Sequence, residues 1–257
     1  RARDLRPCAI GVSDGLRDAW AEAGLRTLYV GDEAVVEPGR FSLEGRAIRK
    51  VRQSCTRLER LGYRVEITTM AELSPGRRGE LTEVSRDWLE TSGGEERGFS
   101  MALDDMWAPE HGGCVVAIGL DEADTVGGFV HLVPSDGGHG LSLSAMRRRP
   151  DAPNGLTEFL LCRLFEWGRD HGIERVSLNF NAFAAILRAD EAPTRGAAAM
   201  RWVLGKADRA FQIERLLRFN EKFHPTLWQP RYAAFERSTD IPQSAFAVLV
   251  AEGLLKR

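Results

Sequence analysis

The sequence has few cysteines and no long uninterrupted apolar run. Its four cysteines, Cys8, Cys55, Cys114 and Cys162, are far apart and form no CxxC pair. This spacing argues against a metal site and against a disulfide framework, and it favours reduced, mostly buried thiols. Charged residues interrupt every apolar stretch before it reaches the length of a membrane-spanning helix.

Motifs of several enzyme classes are also missing. The sequence contains no GxSxG, no GxxxxGK[ST] and no HExxH, and none of its five histidines stands in a recognisable nucleophile motif. A hydrolase triad, a P-loop enzyme and a zinc protease are therefore poorly supported. The turn at residues 149–155 is a poor version of an acetyl-CoA loop, so coenzyme A is not the expected donor. We expect no metal and no cofactor.

Charge and length set further limits. The chain has 257 residues and a net charge of −2, so any contact with nucleic acid must come from a local basic patch. That length suffices for one large domain or two compact ones. The sequence begins at Arg1 rather than at a methionine, which leads us to expect a fragment of a longer protein.

A basic helix is predicted over residues 42–61. An apolar stripe of Ile48, Val51, Cys55 and Leu58 recurs at steps of three and four residues. The remaining surface carries six cations against two anions, Glu44 and Glu59. Such a one-sided face suits an RNA backbone or an anionic headgroup, although a merely solvated helix is the plainer interpretation. The candidate phosphate-binding residues are Arg46, Lys50, Arg52 and Arg57.

The order of the predicted elements indicates an α+β fold, that is, an α/β sandwich. After a strand at 63–67 we predict a helix at 75–91, strands at 112–120, 126–134 and 140–146, a helix at 156–171 and a strand at 175–180. Earlier and later elements are a helix at 16–23, strands at 27–31 and 231–235, and helices at 211–223 and 244–255. This order is typical of acetyltransferase-like (GNAT) folds, in which two central strands splay apart before a polar loop and a helix.

Two segments carry the chemistry. Residues 147–155 place three arginines before a Pro- and Gly-containing turn that opens a helix, and guanidinium groups and free amides at such a place bind anions. Glu158 lies in the first turn of that helix, where the helix dipole alone would stabilise it. The second segment, residues 217–232, alternates aromatic and cationic residues, and Lys222 and Arg231 within it are compatible with either a surface or a site.

Taken together, these segments resemble the catalytic domain of the bacterial aminoacyl-phosphatidylglycerol synthases, the multiple peptide resistance factor family, in its actinobacterial branch. The resemblance rests on Met146-Arg-Arg-Arg-Pro-Asp-Ala-Pro-Asn-Gly155, on Arg218-Phe-Asn-Glu-Lys-Phe-His-Pro225 with Pro230-Arg-Tyr232, and on the basic helix. It implies tandem GNAT-like modules joined by that long basic helix: a partial N-terminal module with the helix at 1–62 and a catalytic module at 63–257. It also implies an integral membrane domain before this part and a place at the cytoplasmic face of the bacterial membrane.

The resemblance further implies a reaction and its residues. An aminoacyl group passes from aminoacyl-tRNA to a hydroxyl of phosphatidylglycerol, an anionic phospholipid. Carried over by position, the catalytic residues are Arg147, Lys222 and Glu158. The substrate-binding residues are Ser144, Arg149, Asn154, Asn179 and Arg231. Ser144 departs from the family, which has an aspartate there, and a serine cannot take a proton comparably at neutral pH.

Three alternatives stay open at this point. The acceptor could be a soluble small molecule with an amine or hydroxyl, which the serine at position 144 makes credible. The chain could instead be an inactive relative that binds tRNA or lipid. A third alternative, an acyl-CoA N-acetyltransferase, predicts protection from heat by acetyl-CoA.

Overall fold

A computed structural model describes residues 7–92, 106–182 and 215–241, together with 243, 244 and 247. By packing, the chain divides into two compact units. The first comprises residues 1–35 and 178–249, and the second comprises residues 36–177 and 250–257. These units are defined by contacts, whereas the predicted modules are defined by sequence, so the module boundary at residue 62 stays a prediction.

The described residues form helices and strands in nearly the predicted order. The strands are β1 Cys8–Ser13, β2 Arg26–Val36, β3 Arg64–Thr69, β4 Val115–Leu120, β5 Val126–Ser135, β6 Gly140–Arg148, β7 Arg175–Ala182 and β8 Leu227–Phe235. The helices are α1 Arg17–Glu22, α2 Arg49–Arg60, α3 Pro75–Ser92 and α4 Leu156–Asp170. Residues 215–221 are also helical. The predicted α+β class is confirmed.

The second unit is built on an antiparallel run of strands, β3, β4, β5 and β6. Helix α3 packs on one face, where its Leu81 and Val84 join Val116, Phe129 and Ala145 in a buried apolar cluster. Helix α4 covers the other face, and α2 packs against α4. Leucines 156, 160, 161 and 164 of α4 are almost completely buried, and each contributes about 1.5–3 kcal/mol by leaving water.

Strands β6 and β7 separate early. Their parallel pairing covers only Gly140–Ser142 of β6 and Arg175–Ser177 of β7, although β6 continues to Arg148. This is the divergence that the acetyltransferase-like order predicts. Residues 143–148 are therefore held in register by β5 alone, and the polar turn and α4 follow them directly.

In the first unit, β8 lies between β1 and β2 and is antiparallel to both. The strand predicted at 27–31 is present but longer than predicted, because β2 runs on to Val36 with an irregularity between Tyr29 and Gly31. The buried run Ala34–Val36 completes that strand.

The basic helix is shorter than predicted, since α2 begins at Arg49 and not at residue 42. The reason lies in Gly45, whose φ of +91° is incompatible with a helix, and in the Arg52 guanidinium, which donates to the carbonyls of Leu43 and Gly45. Arg46 therefore precedes the helix. The predicted apolar stripe is confirmed, as Ile48, Val51, Cys55 and Leu58 are all buried.

Three other predicted elements lie wholly or partly outside the described residues. Most of the helix predicted at 244–255 and the Ala-rich stretch at 188–200 lie outside them, and the helix at 211–223 is described only from residue 215. All four cysteines are free thiols, of which Cys55, Cys114 and Cys162 are buried and Cys8 is exposed.

Candidate active site

Arg147 lies on β6 in the interior of the second unit. Only 4% of its surface is exposed, although it carries a permanent charge. Its guanidinium carbon lies 4.5 Å from the centre of the Trp88 ring on α3, a cation–π contact. Desolvating a guanidinium is costly, so a buried arginine at the end of a strand that has left its neighbour indicates a functional position.

Ser144 lies at an irregularity in the same strand. Across the β5–β6 ladder His131 pairs with Ala145 and Leu132 pairs with Leu143, which leaves Ser144 as the extra residue of a bulge. The Ser144 hydroxyl is buried and has no hydrogen-bond partner among the described residues. Bulges commonly turn a side chain towards an active site.

His131 faces the same layer from β5. Its strand partners, Val116 and Ala145, both belong to the apolar cluster under α3. The imidazole is 3% exposed, and neither ring nitrogen has a hydrogen-bond partner within the described parts of the chain. Burial, with a smaller repulsion from His111, lowers the pKa of His131 to about 4, so the ring is neutral at pH 7.

A fourth polar group comes from α3. The hydroxyl of Ser85 is buried without a partner in the described residues, and Ser85 precedes Trp88 by one helical turn. Helix α3 packs on β5 and β6 and its Trp88 contacts Arg147, so we infer that the buried Ser85, one turn earlier, lies on the same side of the helix. We call Ser85, Trp88, His131, Ser144 and Arg147 the polar cluster.

Sequence reasoning singled out Arg147 and Ser144 as site candidates, which stay predictions, and it did not single out His131, Ser85 or Trp88. The available signal for His131 was a single polar residue within an otherwise apolar, buried strand. The sequence alone does not show which residues lie beside such an isolated histidine; the strand pairing does.

The turn after β6 is fastened to the protein at several points. Arg149 donates to the Val126 carbonyl at 2.9 Å and pairs with Asp87 of α3 at 3.0 Å, while Arg148 donates to the Ala152 carbonyl at 3.0 Å. These contacts position the turn. The predicted contact of Arg149 with a substrate stays a prediction.

The start of α4 lies against α2. Arg57 of α2 donates to the carbonyl of Asn154. Gly155 has a φ of +88°, and a Cβ built there would lie 2.7 Å from the side chain of Ser54. Glycine is therefore required for both backbone conformation and space. Glu158 follows in the first turn of α4 and is half-buried. Catalytic roles for Glu158 and binding roles for Asn154 stay predictions.

The outer face of α2 carries a shallow cationic groove. Its volume is about 300 Å³, and Arg52, Gln53, Thr56, Arg57 and Arg60 line it. No carboxylate belongs to this lining, and the Glu59 carboxylate is engaged by Arg163 of α4. Arg52 and Arg57 were predicted for phosphate binding and Arg60 was not. The other two predicted residues, Arg46 and Lys50, are exposed but do not line the groove.

The remaining predicted residues belong to the first unit. Lys222 is exposed, with its Nζ 5.3 Å from the centre of the Phe219 ring. Arg231 forms an ion pair with the buried Glu33. Asn179, with a φ of +73°, follows Leu178, whose carbonyl accepts a hydrogen bond from Asn220. A catalytic role for Lys222 and substrate-binding roles for Arg231 and Asn179 stay predictions.

Comparison with known proteins supplies the family. The family described as phosphatidylglycerol lysyltransferase, C-terminal, matches residues 1–235. The lysylphosphatidylglycerol biosynthesis bifunctional protein LysX of Mycolicibacterium vanbaalenii is 38% identical over 97% of this chain and 22% of its own length. The LysX protein of Nocardia farcinica is 37% identical over 98% of this chain and 22% of its own length.

The chain belongs to the phosphatidylglycerol lysyltransferase C-terminal family. The structure of L-PGS from Bacillus licheniformis shares its fold, with a TM-score of 0.80 at 22% identity, over 97% of this chain and 74% of that one. The chain spans about a fifth of the length of the curated relatives it matches. The resemblance found in the sequence is confirmed.

The described ranges contain neither a spanning helix nor a metal-binding group. None of the helices there combines the length and the apolar character needed to traverse a bilayer. Likewise, that part of the chain holds no group of three or more His, Cys, Asp or Glu side chains arranged to bind a metal ion.

The buried His131 predicts how stability depends on pH. Its pKa falls from 6.5 to about 4 on folding, so between these values the unfolded chain binds more protons than the folded one. Stability is then complete above pH 6.5 and is lost as the pH falls towards 4. We expect His131 to account for about 2 kcal/mol of the loss in unfolding free energy between pH 7 and pH 4.5.

Urea unfolding at the two pH values measures this contribution. The loss should shrink by that amount in His131→Gln and stay as in the wild type in His139→Gln, a change at an exposed histidine. Equal losses in all three proteins would show that His131 is not buried in its neutral form.

Proposed function

We propose that this chain transfers an aminoacyl group from aminoacyl-tRNA to a hydroxyl of a phosphatidylglycerol-type lipid. The observation that carries the proposal is the buried Arg147, held over Trp88 within a cluster of polar groups in a member of this family. The proposed place of action is the cytoplasmic face of the bacterial membrane, where both substrates would be available.

The proposed reaction requires no energy source besides its substrates. The donor is an ester, which is already activated, so this step needs no ATP. What remains is to position the two substrates, to remove the proton of the attacking hydroxyl and to stabilise the negative charge that develops on the carbonyl oxygen. In the proposal, Arg147 and Lys222 stabilise that charge, and Glu158 positions one of the substrates.

The groove on α2 supports a role in holding phosphates. Arg57 and Arg60 are exposed and Arg52 is half-buried, and guanidinium groups bind phosphate oxygens in pairs of hydrogen bonds. A protein that binds fewer phosphates of a nucleic acid also shows a weaker dependence of its affinity on salt. Arg46 and Lys50 extend the positive charge beyond the groove.

A change in the groove should weaken substrate binding more than chemistry. For Arg60→Gln we expect KM for aminoacyl-tRNA to rise about three- to tenfold with kcat little changed, because the variant cannot form one phosphate ion pair of about 1 kcal/mol. The variant's KM should also depend less steeply on salt. Steady-state kinetics at several salt concentrations measures both effects.

Arg169→Gln is the matched control, since Arg169 is an exposed arginine near the end of α4 and outside the groove. Its KM should equal that of the wild type. If KM for Arg60→Gln is unchanged at every salt concentration, the groove does not bind the tRNA.

A soluble acceptor is the second candidate, and Ser144 favours it, because the polar cluster offers hydroxyl groups rather than the family's carboxylate. One experiment separates the candidates. The chain is incubated with a panel of radiolabelled aminoacyl-tRNAs and phosphatidylglycerol vesicles. The products are extracted into an organic phase, and their masses are measured by mass spectrometry.

Label in the organic phase, at the mass of an aminoacylated lipid, supports the lipid acceptor. Label in a small water-soluble product, formed only when amines or polyols are added, supports the soluble acceptor. Tight tRNA binding without deacylation or transfer would mean that the chain is an inactive binding module.

A further inference from the structure

The polar cluster contains more hydrogen-bonding capacity than the described protein uses. Ser85, His131 and Ser144 together bury two hydroxyl groups and two ring nitrogens without partners in the described residues. Buried polar groups in native proteins are nearly always satisfied by protein, water or ligand. Three such side chains around one layer therefore indicate a place that a polar ligand occupies.

Charge restricts what that ligand is. The Arg147 guanidinium is part of the cluster, and the imidazole of His131 is neutral at pH 7. An ammonium group would be repelled by Arg147 and would find only neutral partners here. A hydroxyl group fits better, because it can donate one hydrogen bond to a ring nitrogen and accept another from a serine.

The cluster also contains a single group that can take a proton. Among the buried polar and charged side chains described in the second unit, the Arg147 guanidinium has no acceptor atom, and the hydroxyls of Ser144 and Ser177 are not bases at neutral pH. The imidazole of His131 remains. Burial keeps its pKa low, so at pH 7 the imidazole is neutral and one ring nitrogen has a lone pair that can accept a proton.

We propose that the polar cluster binds the hydroxyl of the acceptor and that His131 is the general base that removes its proton. This inference rests on the proposed function and names the residue that performs one of its steps. Ser85 and Ser144 hold the hydroxyl oxygen, and Arg147 faces the developing charge on the carbonyl oxygen.

The step balances within the cluster. The acceptor oxygen attacks the carbonyl carbon of the aminoacyl ester while its proton moves to a ring nitrogen of His131, which gives a tetrahedral intermediate and an imidazolium. The carbon–oxygen bond to the ribose then breaks, and the departing ribose oxygen takes that proton. His131 returns to its neutral form, and no other reactant is needed.

The test uses the whole chain in the transfer assay, with His131→Gln and His131→Ala. We expect His131→Gln to lower kcat about 10²-fold with KM for both substrates nearly unchanged, which is at the lower end for loss of a general base. Added imidazole should restore part of the turnover of His131→Ala and none of that of His131→Gln, whose side chain fills the site. His139→Gln, at an exposed histidine of the β5–β6 loop, should match the wild type.

A thermal unfolding measurement separates a catalytic from a structural role. If a ligand is the partner of His131, the unliganded His131→Leu variant should melt at or above the temperature of the wild type, since the change removes buried polar atoms that the protein leaves unsatisfied. A marked drop in melting temperature would mean that His131 is a structural residue, and it would overturn the inference.

Each failure has a different meaning. Wild-type turnover in a folded His131→Gln protein would overturn the role of His131 and leave the proposed function standing. Loss of turnover without any rescue by imidazole would assign His131 a positioning role and end its assignment as the base. A wild-type chain that transfers nothing to any acceptor would end the proposed function and this inference with it.

Discussion

Replacing Arg147 by methionine is expected to lower kcat for aminoacyl transfer by about 10³-fold. Methionine keeps most of the length of the side chain and its packing on Trp88, but it removes the charge that would stabilise the oxyanion. Removing one preorganised donor to an oxyanion typically costs 10²–10³-fold, and a full charge in a buried site lies at the upper end of that range. Single-turnover rates with labelled aminoacyl-tRNA measure the effect on chemistry alone.

Two further variants make this result specific. Arg147→Lys keeps the charge but loses the planar fork, so we expect it to recover only part of the rate. Arg86→Met changes an exposed arginine of α3, close to Trp88 in sequence, and should turn over like the wild type. A rate for Arg147→Met within threefold of the wild type, in a protein that unfolds normally, would remove Arg147 from the mechanism.

Replacing Lys222 by alanine is expected to lower kcat by a similar factor, of about 10²–10³-fold. Lys222 is exposed, and its Nζ lies 5.3 Å from the centre of the Phe219 ring, so its removal should have little effect on stability. A large loss of rate would then reflect chemistry. Arg215→Ala, at an exposed cation of the same helical segment, is the control and should leave kcat unchanged.

The double variant asks whether the two cations act on one carbonyl. Groups that stabilise the same transition state are strongly non-additive, so Arg147→Met with Lys222→Ala should lose much less than the product of the two single losses. Fully multiplicative losses would mean that they act on separate steps. Wild-type-like turnover in a folded Lys222→Ala protein would end its catalytic assignment.

Periodicity predicted most of the second unit correctly, because its elements carry strong local patterns. Helix α4 is an example: it was predicted at 156–171 and spans Leu156–Asp170, and its Leu160, Leu161, Leu164 and Phe165 are all buried. The start of α2 was not predictable in the same way. The sequence of residues 42–48 does not exclude a helix. The helix starts later because Gly45 has a positive φ and its carbonyl accepts a hydrogen bond from Arg52, and this contact forms only in the folded chain.

The site was only half predictable for the same physical reason. Arg147 and Ser144 stand in a recognisable motif, so the sequence alone singled them out. The contacts of His131 and Trp88 with that motif arise from a strand bulge and from the packing of α3, which join residues far apart in the chain. Arg149 shows the reverse case, because its partner Asp87 lies 62 residues earlier and no spacing rule connects them.

Because β6 separates early from β7, residues 143–148 form no strand pairs on the β7 side. A side chain there can be exchanged without disturbing any ladder on the β7 side, because the parallel pairs end at Ser142 and Ser177. A substitution at position 144 therefore leaves the strand pairing with β7 unchanged, and its cost is set by the burial of the side chain. In the proposed reaction, a change at position 144 would alter the groups around the acceptor hydroxyl while the strand pairing of the scaffold is retained.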